Sequence, residues 1–340
     1  MKKNILFFGT PDFAIDSLRS IYIHQYKLNY ELKGVVTVAD RISGRGQKKN
    51  QSAIKKEAKK LNLKIYEPDS LIDPIFIEEL QKLDLDLSIV VAFKKIPKII
   101  YQIPKLGTIN LHASILPEYR GAAPINWAII NGEKQTGLTT FFINEKIDTG
   151  DIIMQKEVSI NIEDHVIDLY KLLKEESFKF IKNTIQCVIQ NSFKLKKQKN
   201  YKKNILKIAP KITKDLLKLN IDSFNKKPLI KMYNYIRGMS NYGVKIKIIL
   251  IKSHTKEEFK KNIIVKRVSN FTDNIENNEI GEIKMNIENK NQIIVTNGCS
   301  SFNIENLKLE NGKEISAKEF YNGFIKEKEV LNQIIFNNTI

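Results

Sequence analysis

From Asn4 to Phe93 the chain alternates short apolar runs with amphipathic stretches of helical length, and this rhythm restricts the fold more than any other feature. "NILFFG" is a continuous apolar run closed by Gly9. Thr10 and Pro11 then offer an N-cap and a first-turn proline for a helix through "DFAIDSLRSIYIH". "LKGVVTV" reads as a second strand, followed by the polar loop "ADRISGRGQKKNQ" and a helix over "SAIKKEAKKLN"; "LKIYEP", a helix over "IDPIFIEELQKLD", and "DLSIVVAF" continue the pattern. Strands spaced by helices of this length pair in parallel through right-handed crossovers. The expectation is an α/β unit with a mostly parallel sheet and a ligand site at the carboxyl ends of its strands. The turn "GTPDF" lacks the G-x-G-x-x-G fingerprint, so it reads as a capped strand-to-helix turn with no NAD or ATP site.

Further on, "TFFINEKIDTGDIIMQKEVSI" reads as two strands joined by "NEKIDTGD", and "DHVIDLYKLLKEESFKFIKNTIQCVIQ" as an amphipathic helix. "NSFKLKKQKNYKKNILK" then loses hydrophobic periodicity and becomes lysine-rich, the mark of a linker. Beyond it a helical stretch, "KPLIKMYNYIRGMS", precedes the short strands "VKIKIILI", "IGEIKMNI", "QIIVTN" and "SFNIENLKLE", and "SAKEFYNGF" closes as a short helix. Strands without helices between them predict a small antiparallel barrel. The expected division is a first domain over 1–189, a basic linker over 190–206 and a second domain over 207–330, and a length of 340 residues suits two cores.

Apolar residues make up 42% of the chain and charged residues 28%, with no apolar run near the roughly 20 residues that span a bilayer. "MKKNILFFGTPDFA" runs from a short apolar stretch straight into a turn, so it reads as a first strand and not a signal peptide. Cys187 and Cys299 lie far apart without metal-ligand spacing, which points to a reducing compartment, no structural zinc and simple packing roles. The formal charge of +18 has two readings. Lysines and arginines gain affinity for phosphate by releasing condensed counterions. Equally, Lys, Asn and Ile are abundant throughout, as in "NKKPLIKMYNYI", which reads as compositional drift.

The chemistry concentrates in "GTINLHASILPEYRGAAPINWAIING", Gly107 to Gly132. In an extended strand Asn110 and His112 share one face while Ile109 and Leu111 share the other. Two hydrogen-bonding groups on one face are costly to bury without use. An amide and an imidazole aimed at one point suit a developing oxyanion. An acid is then wanted to orient the imidazole or move a proton. "IDTGD" supplies Asp148 and Asp151 beside Gly150, a residue read as flexible, and the residues alone leave both aspartates open, as hairpin-loop residues or as the acid.

"FFGTPDFA", "DRISGRGQKK", "VVAFKKIP", "GTINLHASILPEYRGAAPINWAIINGE" and "IDTGDII" resemble the methionyl-tRNA formyltransferase family, and "IAPKITKD", "YNYIRGMS" and "NGKEISAKEFYNGF" resemble its C-terminal domain. The resemblance covers nearly the whole chain. It implies a Rossmann-like formyltransferase domain with a mostly parallel sheet, followed by a smaller OB-like antiparallel β-barrel. It also implies transfer of a formyl group from 10-formyltetrahydrofolate, as co-substrate and without a metal, to the methionine amine on initiator tRNA. By the same resemblance Asn110 and His112 stabilise the oxyanion, and Asp148, chosen over Asp151, polarises His112 and assists proton transfer. Ser114, Ile115, Leu116 and Pro117 fall where the family contacts folate, and Phe93 and Ile96 line the pterin side. The basic insertion with Arg41, Arg45, Lys48 and Lys49 matches the loop that meets the tRNA acceptor end; Gly44 and Gly46 let it bend, and Arg45 stacks or forks onto phosphate. The barrel and the basic linker would bind the tRNA body, so part of the +18 charge is functional. A cytoplasmic monomer without membrane contact is implied.

Two departures stand out. Phe93-Lys94 replaces the Tyr-Gly of many relatives, and "RGMSNYGVKIK" lacks the proline that commonly follows the serine. Formylation of a UDP-amino sugar is the alternative within the fold, but "RGAAP", "DTGD" and the basic loop differ from the Arg-Gly-Arg-Ala-Pro and Asp-Ala-Gly of those relatives. A tRNA-binding protein without catalysis would show damage at Asn110, His112 or Asp148, and all three are intact.

Overall fold

Strand β1 (Lys3–Gly9) is buried from Ile5 onward because both faces of its apolar run are covered, the pattern of a central parallel strand. After it come β2 (Tyr30–Val36), β3 (Arg41–Ser43), β4 (Lys48–Asn50), β5 (Ile65–Tyr66), β6 (Leu87–Val91) and β7 (Thr108–His112). A computed structural model describes residues 2–43, 48–198, 206–225, 227–273, 281–289, 292–326, 330–331 and 333–336 of the chain. It divides into two compact units. The first comprises Met1–Pro124, Thr136–Ser159 and Tyr170–Ala209; the second comprises Ile125–Gln135, Ile160–Leu169 and Pro210–Ile340.

With β8 (Arg120–Gly121), β9 (Gln135–Phe142) and β10 (Ile152–Ser159) added, the seven-stranded sheet of the first unit runs in the order β10-β9-β7-β6-β1-β2-β5. β1 pairs in parallel with β2 and β6, β6 with β7, and β2 with β5, while β7 meets β9 antiparallel. One face carries Leu6, Phe8, Val36 and Val90 against Leu80 and Ile100 from the crossover helices α3 (Pro74–Gln81) and α4 (Lys98–Tyr101). Elsewhere α1 (Ile15–His24) is tied to the long helix α6 (Val166–Ile189) through Ser17 and Ser177, whose hydroxyls meet at 3.0 Å.

Helix α2 (Ala53–Lys60) starts where Ser52 accepts from the Lys55 N–H, and α3 starts where Asp73 accepts from Ile75 N–H ahead of Pro74. The expected Thr10 cap is not used. Pro11 takes the cap position in an extended conformation without a side-chain bond, and a single 3₁₀ turn, Asp12–Ala14, leads into α1. The stretch expected as a polar loop is a short hairpin in which Arg41 pairs with Asn50, Ile42 with Lys49 and Ser43 with Lys48.

In the second unit helix α5 (Pro124–Ile130) supplies Asn126, whose amide donates to the Gly238 carbonyl at 2.8 Å in α7 (Ile230–Gly238). Arg237 is buried there: its Nε donates to Asn234 Oδ1 at 2.9 Å, and its Nη1 to the carbonyls of Asn161 and Asp164 at 3.1 and 2.6 Å. The short β11 (Ile208–Ala209) belongs to the first unit, where it pairs with β8; in the second come β12 (Val244–Ile251), β13 (Glu258–Asp273), β14 (Lys284–Glu288), β15 (Gln292–Thr296), β16 (Ser300–Leu309), β17 (Glu314–Ser316), α8 (Ala317–Phe320) and β18 (Gln333–Phe336). Their order is β13-β12-β18-β14-β15-β16-β17, and β13 also pairs with β16, so six antiparallel strands close into a barrel. Strand β13 escaped the sequence reading because lysines and asparagines interrupt its apolar alternation. Its register shifts between Val265 and Thr272 bend it so that one strand serves both neighbours. Ile246, Ile248, Val265, Met285, Phe302 and Phe320 fill the barrel interior.

Candidate active site

The parallel register brings the carboxyl ends of three strands together, with Phe8 beside Val90 and Val90 beside Asn110. Strand β7 alternates as expected: Ile109 and Leu111 are buried in apolar packing, Asn110 is half-buried, and His112 is 7% exposed at the strand end.

The His112 ring is held from both sides. Its Nε2 lies 2.9 Å from the Tyr119 carbonyl oxygen, and its Nδ1 lies 3.9 Å from Asp148 Oδ2. A carbonyl only accepts, so Nε2 carries the proton and Nδ1 is the nitrogen left to exchange one. The 3.9 Å gap exceeds hydrogen-bond length, so the Asp148 carboxylate faces the ring without bonding to it. Asp148 is itself fixed. Its Oδ2 accepts from the Gly121 N–H at 2.9 Å, and its backbone sits at φ +53, in the left-handed region. Asp151 has a different place: its backbone carbonyl accepts from Phe142 N–H at 3.0 Å, carrying the loop back onto β9.

Two glycines make this approach possible. Gly121 has φ +129 and lies so near Ala209 that a Cβ would meet its carbonyl oxygen at 2.3 Å. At Gly150 a Cβ would stand 1.6 Å from the Phe142 oxygen. Gly150, read from the sequence as a flexible spacer, is therefore a close-packing residue that seats the Asp148 loop on the sheet.

The segment after His112 forms a braced rim. Ser114 Oγ donates to the Glu118 carbonyl at 2.7 Å, Thr139 Oγ1 donates to the Ser114 carbonyl at 2.6 Å, and Thr139 Oγ1 accepts from Leu116 N–H at 3.1 Å. Gln155 Nε2 donates to the Leu116 carbonyl at 2.8 Å. Ser114 and Leu116 are buried, Ile115 and Pro117 are half-buried, and the Leu116–Pro117 bond is cis. Phe93 is half-buried with its ring edge-on to Phe8 at 5.6 Å, whereas Ile96 is 4% exposed within the apolar cluster under the sheet. The segments around Asn110, His112, Asp148, Ser114–Pro117 and Phe93 thus all belong to the first unit. Arg41, Lys48 and Lys49 lie on the hairpin strands β3 and β4, and Arg45 lies outside the described residues.

Sequence reasoning passed over several participants. Tyr119 and Gly121 act through backbone atoms that no residue type announces. Arg120 lies inside the long motif; its guanidinium is bonded to Gln198, and burial pulls its proton affinity below the usual range against the attraction of Asp148 and Glu118. Among the described residues no three His, Cys, Asp or Glu side chains converge as a metal site, and no helix is long and apolar enough to cross a membrane.

Residues 2–185 match the model of the formyl transferase family, and residues 219–325 match that of the formyl transferase C-terminal domain. The methionyl-tRNA formyltransferase of Parabacteroides distasonis is 34% identical over 330 residues, covering 95% of this chain and 97% of that protein. Its counterpart in Flavobacterium psychrophilum is 43% identical over 238 residues, covering 70% of this chain and 72% of that one. Among solved structures, an N-formyltransferase from Helicobacter canadensis, in complex with folinic acid and dTDP-3-aminofucose, superposes with a TM-score of 0.61 at 23% identity, over 89% of this chain and 99% of that one. That likeness is one of fold. Identity that persists through the barrel as well as the sheet, over almost the full length of relatives bearing one name, decides the matter: the chain belongs to the methionyl-tRNA formyltransferase family.

Proposed function

We propose that this chain transfers the formyl group of 10-formyltetrahydrofolate to the amine of methionine carried on initiator tRNA, with Asn110, His112 and Asp148 at the reacting centre. The observation that carries the mechanism is the double hold on His112, Nε2 on the Tyr119 carbonyl and Nδ1 facing Asp148.

The methionine nitrogen forms a bond to the formyl carbon, the bond from that carbon to the folate nitrogen breaks, and one amine proton ends on the departing nitrogen. Charge collects on the formyl oxygen midway. The Asn110 side-chain amide supplies an N–H donor toward that oxygen, and a fixed donor in a partly dry site costs no reorganisation at the moment of reaction. His112 Nδ1 takes up or releases the travelling proton, with the Asp148 carboxylate facing it across 3.9 Å. The Gly121 N–H holds the Asp148 carboxylate in place.

The braced Ser114–Pro117 rim and the half-buried Phe93 ring are the groups we assign to the folate, since an aromatic face and ordered backbone suit a flat heteroaromatic ring. Ile96 supports this wall from the core. The basic insertion with Arg41, Arg45, Lys48 and Lys49 takes the acceptor end of the tRNA, and the closed barrel with the basic linker takes its body. Residues 1–189 hold the chemistry, 190–206 connect and 207–330 bind tRNA, in a soluble cytoplasmic monomer. Two stretches of the first span, 125–135 and 160–169, pack in the second unit.

The test is formyl transfer from 10-formyltetrahydrofolate to methionyl initiator tRNA, with uncharged tRNA and a UDP-amino sugar as controls. Product on the methionyl tRNA alone supports the reading. A folded protein that binds folate and formylates only the sugar refutes it.

A further inference from the structure

The start of the lysine-rich connector is built into the rim of the site. Phe193 packs on Phe142 with ring centroids 5.9 Å apart, and Lys196 and Ile152 exchange two backbone hydrogen bonds at 2.9 Å each. Gln198 follows, and its whole amide is engaged. Nε2 donates to the Asp148 carbonyl at 3.0 Å and to the Gly150 carbonyl at 2.8 Å. Oε1 accepts from Arg120 Nε at 3.1 Å and from Arg120 Nη2 at 2.5 Å. Both donors and both acceptor lone pairs of a glutamine are thereby used.

These partners are the two rims that hold the His112 ring. Arg120 lies between Tyr119, whose carbonyl takes His112 Nε2, and Gly121, whose N–H takes the Asp148 carboxylate. Asp148 stands at φ +53 and Tyr119 at φ +60, a region that non-glycine residues keep only when neighbours over-determine it. Gln198 supplies that restraint for Asp148, by gripping the carbonyls of residues 148 and 150 and bracing them on Arg120.

We infer that Gln198 is a positioning residue for formyl transfer, locking the Asp148–Gly150 backbone to Arg120 so that the Asp148 carboxylate stays opposite His112 Nδ1. This rests on the proposed roles of His112 and Asp148. The residue touches neither substrate nor the reacting atoms; it acts through Asp148. Its amide hydrogens are the working part, because the two carbonyls they meet only accept.

That chemistry separates positioning from packing. In Q198E the side chain keeps its size and gives Arg120 a stronger, charge-assisted partner, but sets an oxygen against two carbonyl oxygens. If Gln198 only anchored Arg120 or filled space, Q198E would match the wild type. The inference expects Q198A and Q198E each to lower kcat by about 10- to 100-fold, as displacement of a reacting group by about an ångström does, with KM for 10-formyltetrahydrofolate and for methionyl tRNA within about twofold. The decisive comparison is with D148N. If Gln198 works through Asp148, then D148N/Q198A has the kcat of D148N within about twofold, since the two residues share one pathway.

The wild type and the four variants are assayed as full chains for formyl transfer to methionyl initiator tRNA, with thermal melting recorded for each. Loss of kcat in both Gln198 variants, absent from the D148N background, supports the inference. Wild-type kcat in Q198E, or an undiminished additional loss in D148N/Q198A, overturns it while leaving the formyltransferase reading intact. A wild-type chain without methionyl-tRNA formylation overturns that reading and the inference with it, and a D148N variant at full rate takes Asp148 out of the mechanism and overturns the inference.

Discussion

Replacing Gly150 with alanine tests whether the Asp148 loop is seated by close packing or is a spacer that tolerates any small residue. The new Cβ would lie 1.6 Å from the Phe142 oxygen, 2.8 Å from the Phe142 carbonyl carbon and 3.2 Å from Phe141 Cδ2. Ordinary contact begins near 3.4 Å, so the loop has to lift by about 1.8 Å. Phe142 belongs to an interior strand of the sheet and does not give way, so the loop moves. Two bonds go with it, Phe142 N–H to the Asp151 carbonyl at 3.0 Å and Gln198 Nε2 to the Gly150 carbonyl at 2.8 Å. At about 1 kcal/mol for each bond, and about 1 to 3 kcal/mol for overpacking, the loss is about 3 to 5 kcal/mol. For a unit of this size that lowers the melting midpoint by about 6 to 20 °C. Asp148 lies two residues away, so its carboxylate shifts relative to His112 and kcat falls by about 100-fold or more. The assays are thermal melting and steady-state formyl transfer. Gly323→Ala, at a site where a Cβ meets nothing within 4 Å, is the control and changes stability by no more than about 0.5 kcal/mol. A Gly150→Ala protein that melts within about 2 °C of wild type and keeps most of its kcat refutes the seating argument.

Asn110→Ala removes one proposed oxyanion donor and is expected to lower kcat by about two to three powers of ten with folate KM little changed; an unaltered rate takes Asn110 out of the mechanism. Arg45→Ala is expected to raise KM for methionyl tRNA and leave folate binding, followed by fluorescence titration, as it was; lost folate binding would show that the basic insertion serves the other substrate. In the second unit, burial and the nearby Arg267 hold the His165 imidazole below its usual value against the pull of Asp168, and the neutral ring is the one used, with Nε2 accepting from Val268 N–H at 3.2 Å. The folded state thus binds this proton less readily than the unfolded chain, so the contribution is complete above about pH 6.5 and drains away as pH falls below it. Melting midpoints measured down to about pH 5.5 should drop more steeply for wild type than for His165→Gln, and parallel curves would exclude this histidine as the cause.

The parallel half of the fold was legible because its signals are local. Continuous apolar runs such as "NILFFG" need cover on both faces, and Ser52 and Asp73 cap helices with their own side chains. Elements failed to show where tertiary contacts outweigh propensity. Strand β13 is the longest in the molecule, yet its lysines and asparagines hide the alternation, and its identity as a strand comes from pairing with both β12 and β16. The hairpin of β3 and β4 is likewise a matter of pairing within a polar stretch whose composition reads as loop.

At the site the division is sharper. Asn110 and His112 were readable from strand period, since alternate residues share a face whatever the rest of the chain does. Asp148 and Asp151 were not separable by that reasoning: which aspartate faces the ring depends on where the loop lands, and that depends on Gly150 having no side chain between it and Phe142. The groups that fix His112 and Asp148 are a carbonyl and an N–H, at Tyr119 and Gly121, and every residue but proline carries both. Only conformations expose them, φ +60 at Tyr119 and +129 at Gly121. Gln198 is the limiting case. A glutamine among lysines carries no local signal, and its meaning arises wholly from which two carbonyls and which guanidinium the folded chain sets around it. Side chains that touch the reacting atoms are restricted in type by chemistry and so can be read from a sequence. Those that hold them in place are restricted by geometry, and that becomes visible only once the chain has folded.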